Sequence, residues 1–392
     1  MTFNLGSDAP DASDGTPVRV GFMPLVDCAP LVMASVLGLD RRHGVKLLLS
    51  RESSWAGVRD KLVSGGLDMA QALYGLVYGV QLGVAGPQRD LAVLMTLNRN
   101  GQGISLSRRL AERGARDLPS LAALVRQTPS PTVFAQTFPT GTHAMWLYYA
   151  LAAAGVHPLS DVKSIVLPPA QMVVAMRRGL ADGVSVGAPW NRLGVMEGVS
   201  VPLLASGEVW PDHPEKVLAT TGDFADRQPE VCRAVIMAVL EASRWLEHSE
   251  ENRRAAAQIL GGDAFVATRT DAIADALLGR CDDGFGGWRT VPPMRFHADG
   301  EVNFPWLSDG LWFMTQHKRW GLLVDHPDYL DVAHRVQRLD VYRAAATALH
   351  VPLPDTPFRT SRLIDGRVWD GRDPAAYADA FALHSPAAAP SV

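Results

Sequence analysis

The sequence predicts an α/β protein of two lobes followed by a helical segment, on three observations. Short apolar strands alternate with helical stretches from Val18 to Leu97, the same rhythm restarts at Leu118 and runs to Val186, and after Pro229 long amphipathic helices take over. Such alternation argues for mostly parallel sheets with helices on their faces, because a parallel neighbour is reached only through a crossover. With 392 residues, 47% of them hydrophobic, the chain also exceeds what one core usually organises.

Residues 1–17 are acidic, small and turn-rich and read as a disordered leader. A strand at 18–22 then runs through Pro24 and a capping candidate, Asp27, into an apolar helix at 31–39. Strands at 45–49, 69–72 and 91–97 follow, with helices at 55–63 and 75–82 between them. In the second lobe, helices at 121–126, 143–154 and 171–178 alternate with strands at 132–135, 162–166 and 184–186. A short echo links the lobes: residues 62–70 resemble 175–183, each a helix ending at glycine before a short strand. The first long helix, 231–247, places Val231, Val235, Ile236, Val239, Leu240 and Leu246 on one face. The expected organisation is a first lobe of residues 18–104 and 210–350, with the C-terminal helices packed on it, and a second lobe of 105–209. Residues 370–392, rich in alanine, proline and serine, read as a flexible tail.

Composition excludes several classes of function. Thirty-seven basic against forty-one acidic residues give a net charge of -4 with no block of like charge, so direct nucleic-acid binding is not expected. Cys28, Cys232 and Cys281 have no paired spacing for zinc or a redox dithiol. No apolar run reaches 18 residues, so no membrane span is expected. The first twenty residues lack the basic and apolar regions of a secretory signal, which points to the cytoplasm. Nucleophile-elbow, zinc-protease, P-loop and dinucleotide-binding motifs are all missing, so neither an enzyme nor a cofactor is expected.

Four segments place polar or aromatic residues where strands end or helices begin, the positions at which open α/β sheets present ligands. Ser53-Ser54-Trp55 sets a tryptophan on the first turn of a capped helix. Asn98-Arg99-Asn100-Gly101-Gln102-Gly103 is a polar turn after a strand. Thr137-Phe138-Pro139-Thr140-Gly141-Thr142-His143 opens a helix with backbone amides and hydroxyls suited to an anion. Lys216 stands in a proline-framed segment, residues 210–218.

Gly21-Phe22-Met23-Pro24-Leu25-Val26-Asp27-Cys28-Ala29-Pro30, Arg51-Glu52-Ser53-Ser54-Trp55, residues 137–146 and His213-Pro214-Glu215-Lys216-Val217-Leu218 resemble the NrtA and CmpA family of nitrate- and bicarbonate-binding proteins of ABC importers over residues 18–349. The resemblance implies a type II periplasmic-binding-protein fold with the ligand between two lobes. It places ligand contacts on Trp55, Gln102, the backbone of Thr140 and Gly141, and Lys216. A planar monoanion suits that set: it lies on an indole face, accepts from amide donors and meets one fixed cation. Bicarbonate carries an O–H donor, and the relatives that bind it tend to place an acid where Lys216 stands. Without an export signal, the chain resembles the cytoplasmic NasS-type branch, sensors of nitrate or nitrite. For that branch the resemblance implies a partner, a NasT-like RNA-binding antiterminator of the ANTAR type, held without ligand and released when the anion binds. The alternative is the binding subunit of an ABC importer. Pyrimidine synthases of the same superfamily use a cysteine-rich iron motif that three isolated cysteines do not match.

Overall fold

Residues 15–385 are described by the computed structural model of the chain. Strand β1 (Thr16–Phe22) buries Val18, Val20 and Phe22 and turns Thr16, Pro17 and Arg19 to solvent. It begins at Thr16, before the apolar signal, because its ladder with β2 (Val45–Arg51) already pairs Thr16 with Val45. Thr16 and Pro17 thus belong to a sheet and not to a leader, whose residues 1–14 lie outside the described residues.

The remaining strands of the two main sheets are β3 (Met69–Leu73), β4 (Leu91–Thr96), β5 (Gln102–Ser107), β6 (Thr132–Gln136), β7 (Val162–Val166), β8 (Gly183–Gly187), β9 (Ser200–Ala205) and β10 (Lys216–Thr221). Their order is β2-β1-β3-β10-β4 in one lobe and β7-β6-β8-β5-β9 in the other. Each sheet is mixed instead of mostly parallel. Strand β10 runs antiparallel to β3 and β4, and β5 runs antiparallel to β8 and β9. Both enter from the opposite lobe, so they start at the end of the sheet where the parallel strands finish, and their direction is reversed.

The two crossings run side by side. Leu97 N–H donates to the Lys216 carbonyl at 2.7 Å, Glu215 N–H to the Asn98 carbonyl at 3.1 Å, and Asn100 N–H to the His213 carbonyl at 3.3 Å. Asn100 and Gly101, with φ of 60° and 100°, turn the outgoing crossing, a conformation for which Asn and Gly are the least strained choices. Gln102 and Lys216 are therefore each the first residue of a strand leaving this paired hinge.

Ser54 caps the helix Trp55–Val63, its hydroxyl accepting from Gly57 N–H at 3.1 Å. Asp27, by contrast, caps nothing. The helix that follows it, Ala29–Val36, has no side-chain cap. It stops before Gly38, whose φ of 69° breaks the helix expected to reach residue 39.

The amphipathic helix Pro229–His248 packs on Ala29–Val36 and Leu339–Ala348 of the first lobe. Leu307–Arg319 touches both lobes. It packs on Tyr74–Gln81 of the first, and it sends His317 Nε2–H to the Thr140 carbonyl of the second at 2.9 Å. The segment expected to be a flexible tail from residue 370 is packed through 385. Asp373 caps the helix Pro374–Asp379, Phe381 is buried with the Arg319 guanidinium 3.6 Å from its ring centroid, and Ser385 N–H donates to the Arg319 carbonyl at 2.8 Å. Its few aromatic anchors outweigh the small residues around them. Residues 386–392 lie outside the described residues.

Candidate functional site

Three charges meet at the hinge out of contact with solvent: Lys216 and Glu215 are 0% exposed and Asp27 is 1% exposed. Lys216 Nζ lies 2.8 Å from Asp27 Oδ2 and also donates to Glu215 Oε1. The other Glu215 oxygen accepts from Gln102 Nε2. Gln71, a polar residue inside the otherwise apolar strand β3, donates to Asp27 Oδ1, while its own carbonyl accepts from Met23 N–H at 2.8 Å. The loop after β1, the middle of β3 and the first residues of β5 and β10 thus converge on one charged cluster, in which Asp27 and Glu215 hold the ammonium and the two glutamines hold the acids. Trp55 supplies an aromatic wall, its ring centroid 5.5 Å from Nζ.

Burial lowers the Lys216 ammonium from its usual value, with Asp27 opposing; burial raises the Asp27 carboxyl, with Lys216 opposing. Two histidines complete the surroundings. His143, on the first turn of the helix Thr142–Ala153, stands 6.5 Å from Trp55 between ring centroids. Its Nδ1 is 2.7 Å from the Thr137 hydroxyl. Burial, reinforced by Lys216 and His213, holds its ring neutral. Its Nε2 has no hydrogen-bond partner among the described residues. His213 donates from Nδ1 to the Pro214 carbonyl at 3.0 Å and meets the Ser206 hydroxyl at 2.7 Å through Nε2. Burial pushes it down to about 3.

Of the five residues expected to hold a ligand, Trp55, Gln102 and Lys216 come together. The contacts of Thr140 and Gly141 lead elsewhere. Gly141 N–H is already bonded to the Phe138 carbonyl at 2.9 Å. Thr140 lies against Gly75 and Gly79 of the helix Tyr74–Gln81, so close that a Cβ on Gly75 would fall 2.1 Å from the Thr140 carbonyl oxygen. The pair forms a lobe-to-lobe contact, and it is His143, further along the same segment, that reaches Trp55. The buried Trp55 N–H, without a partner among the described residues, beside a buried ammonium and the Gln102 amide, supplies the donors a small anion needs, and the unpartnered Nε2 of His143 lies close by. Sequence reasoning missed Asp27, Gln71, His143 and Glu215 as members of the cluster. A glutamine inside a buried strand was the one local signal for Gln71.

The far side of the cleft is closed by residues from both lobes. Arg192, in the helix Trp190–Met196 of the second lobe, bonds Asp275 at 2.9 Å and Asp282 at 2.8 Å. Those acids lie in the helix Thr270–Leu277 and in β11 (Arg280–Asp282), which pairs with β12 (Trp288–Thr290). A cavity of about 100 Å³ lies between this hairpin and the second lobe, with Gln102, Asn191, Arg192 and Ser206 in its wall. Gln102 thereby faces both the cavity and the buried cluster. Among the described residues no helix is long and apolar enough to cross a membrane.

Two α/β lobes joined by a paired hinge, with a sealed polar cluster between them, define a two-lobe binding protein of the periplasmic-binding type. The chain belongs to the NMT1-like family, whose model matches residues 11–261. It is 34% identical to the nitrate/nitrite binding protein NrtA of Synechocystis sp. PCC 6803 across 97% of this chain and 87% of that protein. It is 36% identical to NrtA of Synechococcus elongatus across 95% and 87%. The crystal structure of the periplasmic nitrate-binding protein NrtA from Synechocystis PCC 6803 superposes with a TM-score of 0.89 at 33% identity, covering 94% of this chain and 98% of that one. The alkanesulfonate-binding protein SsuA of Xanthomonas axonopodis, at 15% identity and a TM-score of 0.60, shares the fold alone.

Proposed function

We propose that this chain binds nitrate or nitrite between its lobes and reports occupancy to a protein partner. The observation that carries the anion reading is the sealed ammonium of Lys216, set at the hinge beside the Gln102 amide and the Trp55 ring. NrtA relatives named for nitrate and nitrite support it. Calorimetric titration with nitrate, nitrite and bicarbonate tests it: saturable heat with nitrate or nitrite is expected, and heat with bicarbonate alone refutes it.

For the output, we take up the cytoplasmic NasS-type sensor that the sequence resembles. The chain without ligand holds a NasT-like RNA-binding antiterminator and releases it on anion binding, so that nitrate-assimilation genes follow nitrate. A net charge of -4 without basic blocks suits a protein that leaves RNA to its partner. A named relative that is a periplasmic nitrate-binding protein favours the second reading, delivery of the anion to an ABC permease. Size-exclusion chromatography with the antiterminator, with and without nitrate, separates the two. The sensor forms a complex that nitrate dissolves, and a Gln102→Leu variant needs more nitrate to dissolve it; a chain that ignores the antiterminator and binds a permease complex is an importer subunit.

A further inference from the structure

The donors that the anion reading assigns to a ligand are already engaged by the chain's own acid. One oxygen of Glu215 takes Lys216 Nζ and the other takes Gln102 Nε2. A carboxylate and a nitrate present the same face to such donors, a planar pair of oxygens sharing one negative charge. The Glu215 backbone is pinned by its N–H on the Asn98 carbonyl at 3.1 Å, so the side chain alone is free to yield.

We propose that Glu215 is a resident counter-ion which an incoming anion displaces from Lys216 and Gln102, and that the displacement takes up one proton from solvent onto the Asp27–Glu215 pair. This rests on the anion reading above and adds its regulation. The charge count requires the proton. The cluster holds two acids and one ammonium, all three sealed from water. Whatever charge Asp27 carries, a second monoanion beside Lys216 adds one negative charge to a region that cannot hydrate it, and buried groups neutralise in preference to bearing such a charge.

The surroundings leave few other acceptors for that proton. Lys216 is itself the cation, and Gln71 and Gln102 do not titrate. His143 and His213 are held neutral by burial, repelled by Lys216 and, for His213, by Arg359, against which the His213 hydrogen bond to the Pro214 carbonyl and the charge of Asp212 pull the other way. The Cys28 thiol beside Asp27 is pushed up by burial and already carries its proton. The acids remain. Once protonated, Glu215 changes from competitor to donor, its O–H able to bond the anion that displaced it.

The linkage has a definite sign. Anion binding raises the affinity of the pair for a proton, so acid strengthens binding. Affinity is constant while the pair is already protonated in the free chain. It falls about tenfold per pH unit as pH rises between the values of the free and bound states.

Calorimetry of nitrate into the full chain, in buffers of different ionisation enthalpy between about pH 6 and pH 9, reads the protons directly. Wild type should take up close to one proton per nitrate within the coupled range. Glu215→Gln should take up far less, with an affinity that no longer follows pH and exceeds that of wild type at the alkaline end. Glu215→Asp, which keeps the titrating group, should restore uptake, and a circular dichroism melt confirms that each variant is folded. A wild-type affinity flat across this range with no buffer dependence overturns the proton coupling while leaving the anion reading intact. Nitrate heat absent from wild type and variants alike at every pH overturns the anion reading and this inference with it.

Discussion

Replacing Lys216 by methionine removes from the Asp27–Glu215 pair the ammonium that both acids contact, while keeping an unbranched apolar stem. At 2.8 Å from Asp27, and with an effective dielectric constant of about 20, the attraction lost is about 6 kcal/mol. Part returns because the acids no longer need to stay ionised. The net loss expected near neutral pH is about 3–5 kcal/mol, as for other buried pairs that lose one partner. The pH dependence follows from the same charges. In the variant the carboxyls of the folded chain sit above their unfolded values, so the penalty is small in acid and grows as pH rises. Urea unfolding at about pH 5 and pH 8 measures it, with unchanged slopes showing that the unfolded state is the same. A loss below about 1 kcal/mol, equal at both pH values, would refute the idea that Lys216 neutralises a sealed acid pair.

Gln102→Leu removes one donor and should weaken nitrate binding by about 1–3 kcal/mol, and it should also lower the melting temperature, because one oxygen of the buried Glu215 carboxylate loses its partner. Trp55→Ala should weaken binding and also destabilise the fold by about 3–5 kcal/mol, because Trp55 is buried in the core; calorimetry and melting separate the two effects. Arg192→Ala should cost the closed arrangement about 1.5–3 kcal/mol, since Arg192 and Asp275 are only 14% and 11% exposed, and X-ray scattering should show a more open chain; an unchanged profile with unchanged anion affinity counts against the Arg192 ion pairs holding the cleft closed. His213 and His317 are pushed by burial to about 3 and about 4, so the unfolded chain binds their protons first and stability falls below about pH 6.5 by about 1.4 kcal/mol per unit for each. His317→Gln, which can still donate to the Thr140 carbonyl, should remove one histidine's share of that slope in urea unfolding across pH.

Elements with strong local periodicity were legible from the sequence: β1, the Ser54-capped helix and the amphipathic face of Pro229–His248 all carry their signal within a few residues. Strands β5 and β10 were not. Their sequences, QGISLS and KVLATT, lack clean alternation, and what makes them strands is pairing with partners more than 70 residues away, such as Gln102 with Gly187. The same blindness hid part of the site. Asp27 looks like a helix cap because it precedes an apolar helix, yet its carboxylate turns to Gln71 and Lys216, a contact across the sheet that no local pattern encodes. Glu215 stood next to the expected lysine but took no part in the expected contacts, since which neighbour of a strand's first residue turns inward depends on register.

Both donors bonded to Glu215, Gln102 and Lys216, sit where the two crossings are stitched together. In a pair of lobes that rock about such a seam, atoms at the fulcrum scarcely travel, whereas the outer edges sweep the longest arcs. An anion bound by these donors, as proposed above, would be gripped where geometry changes least, which would keep the donors aligned through opening and closing. A protein that reads the state of the lobes gains nothing by touching this point. It finds the largest signal at the rim, where the Arg192 side chain and the hairpin of β11 and β12 meet or part.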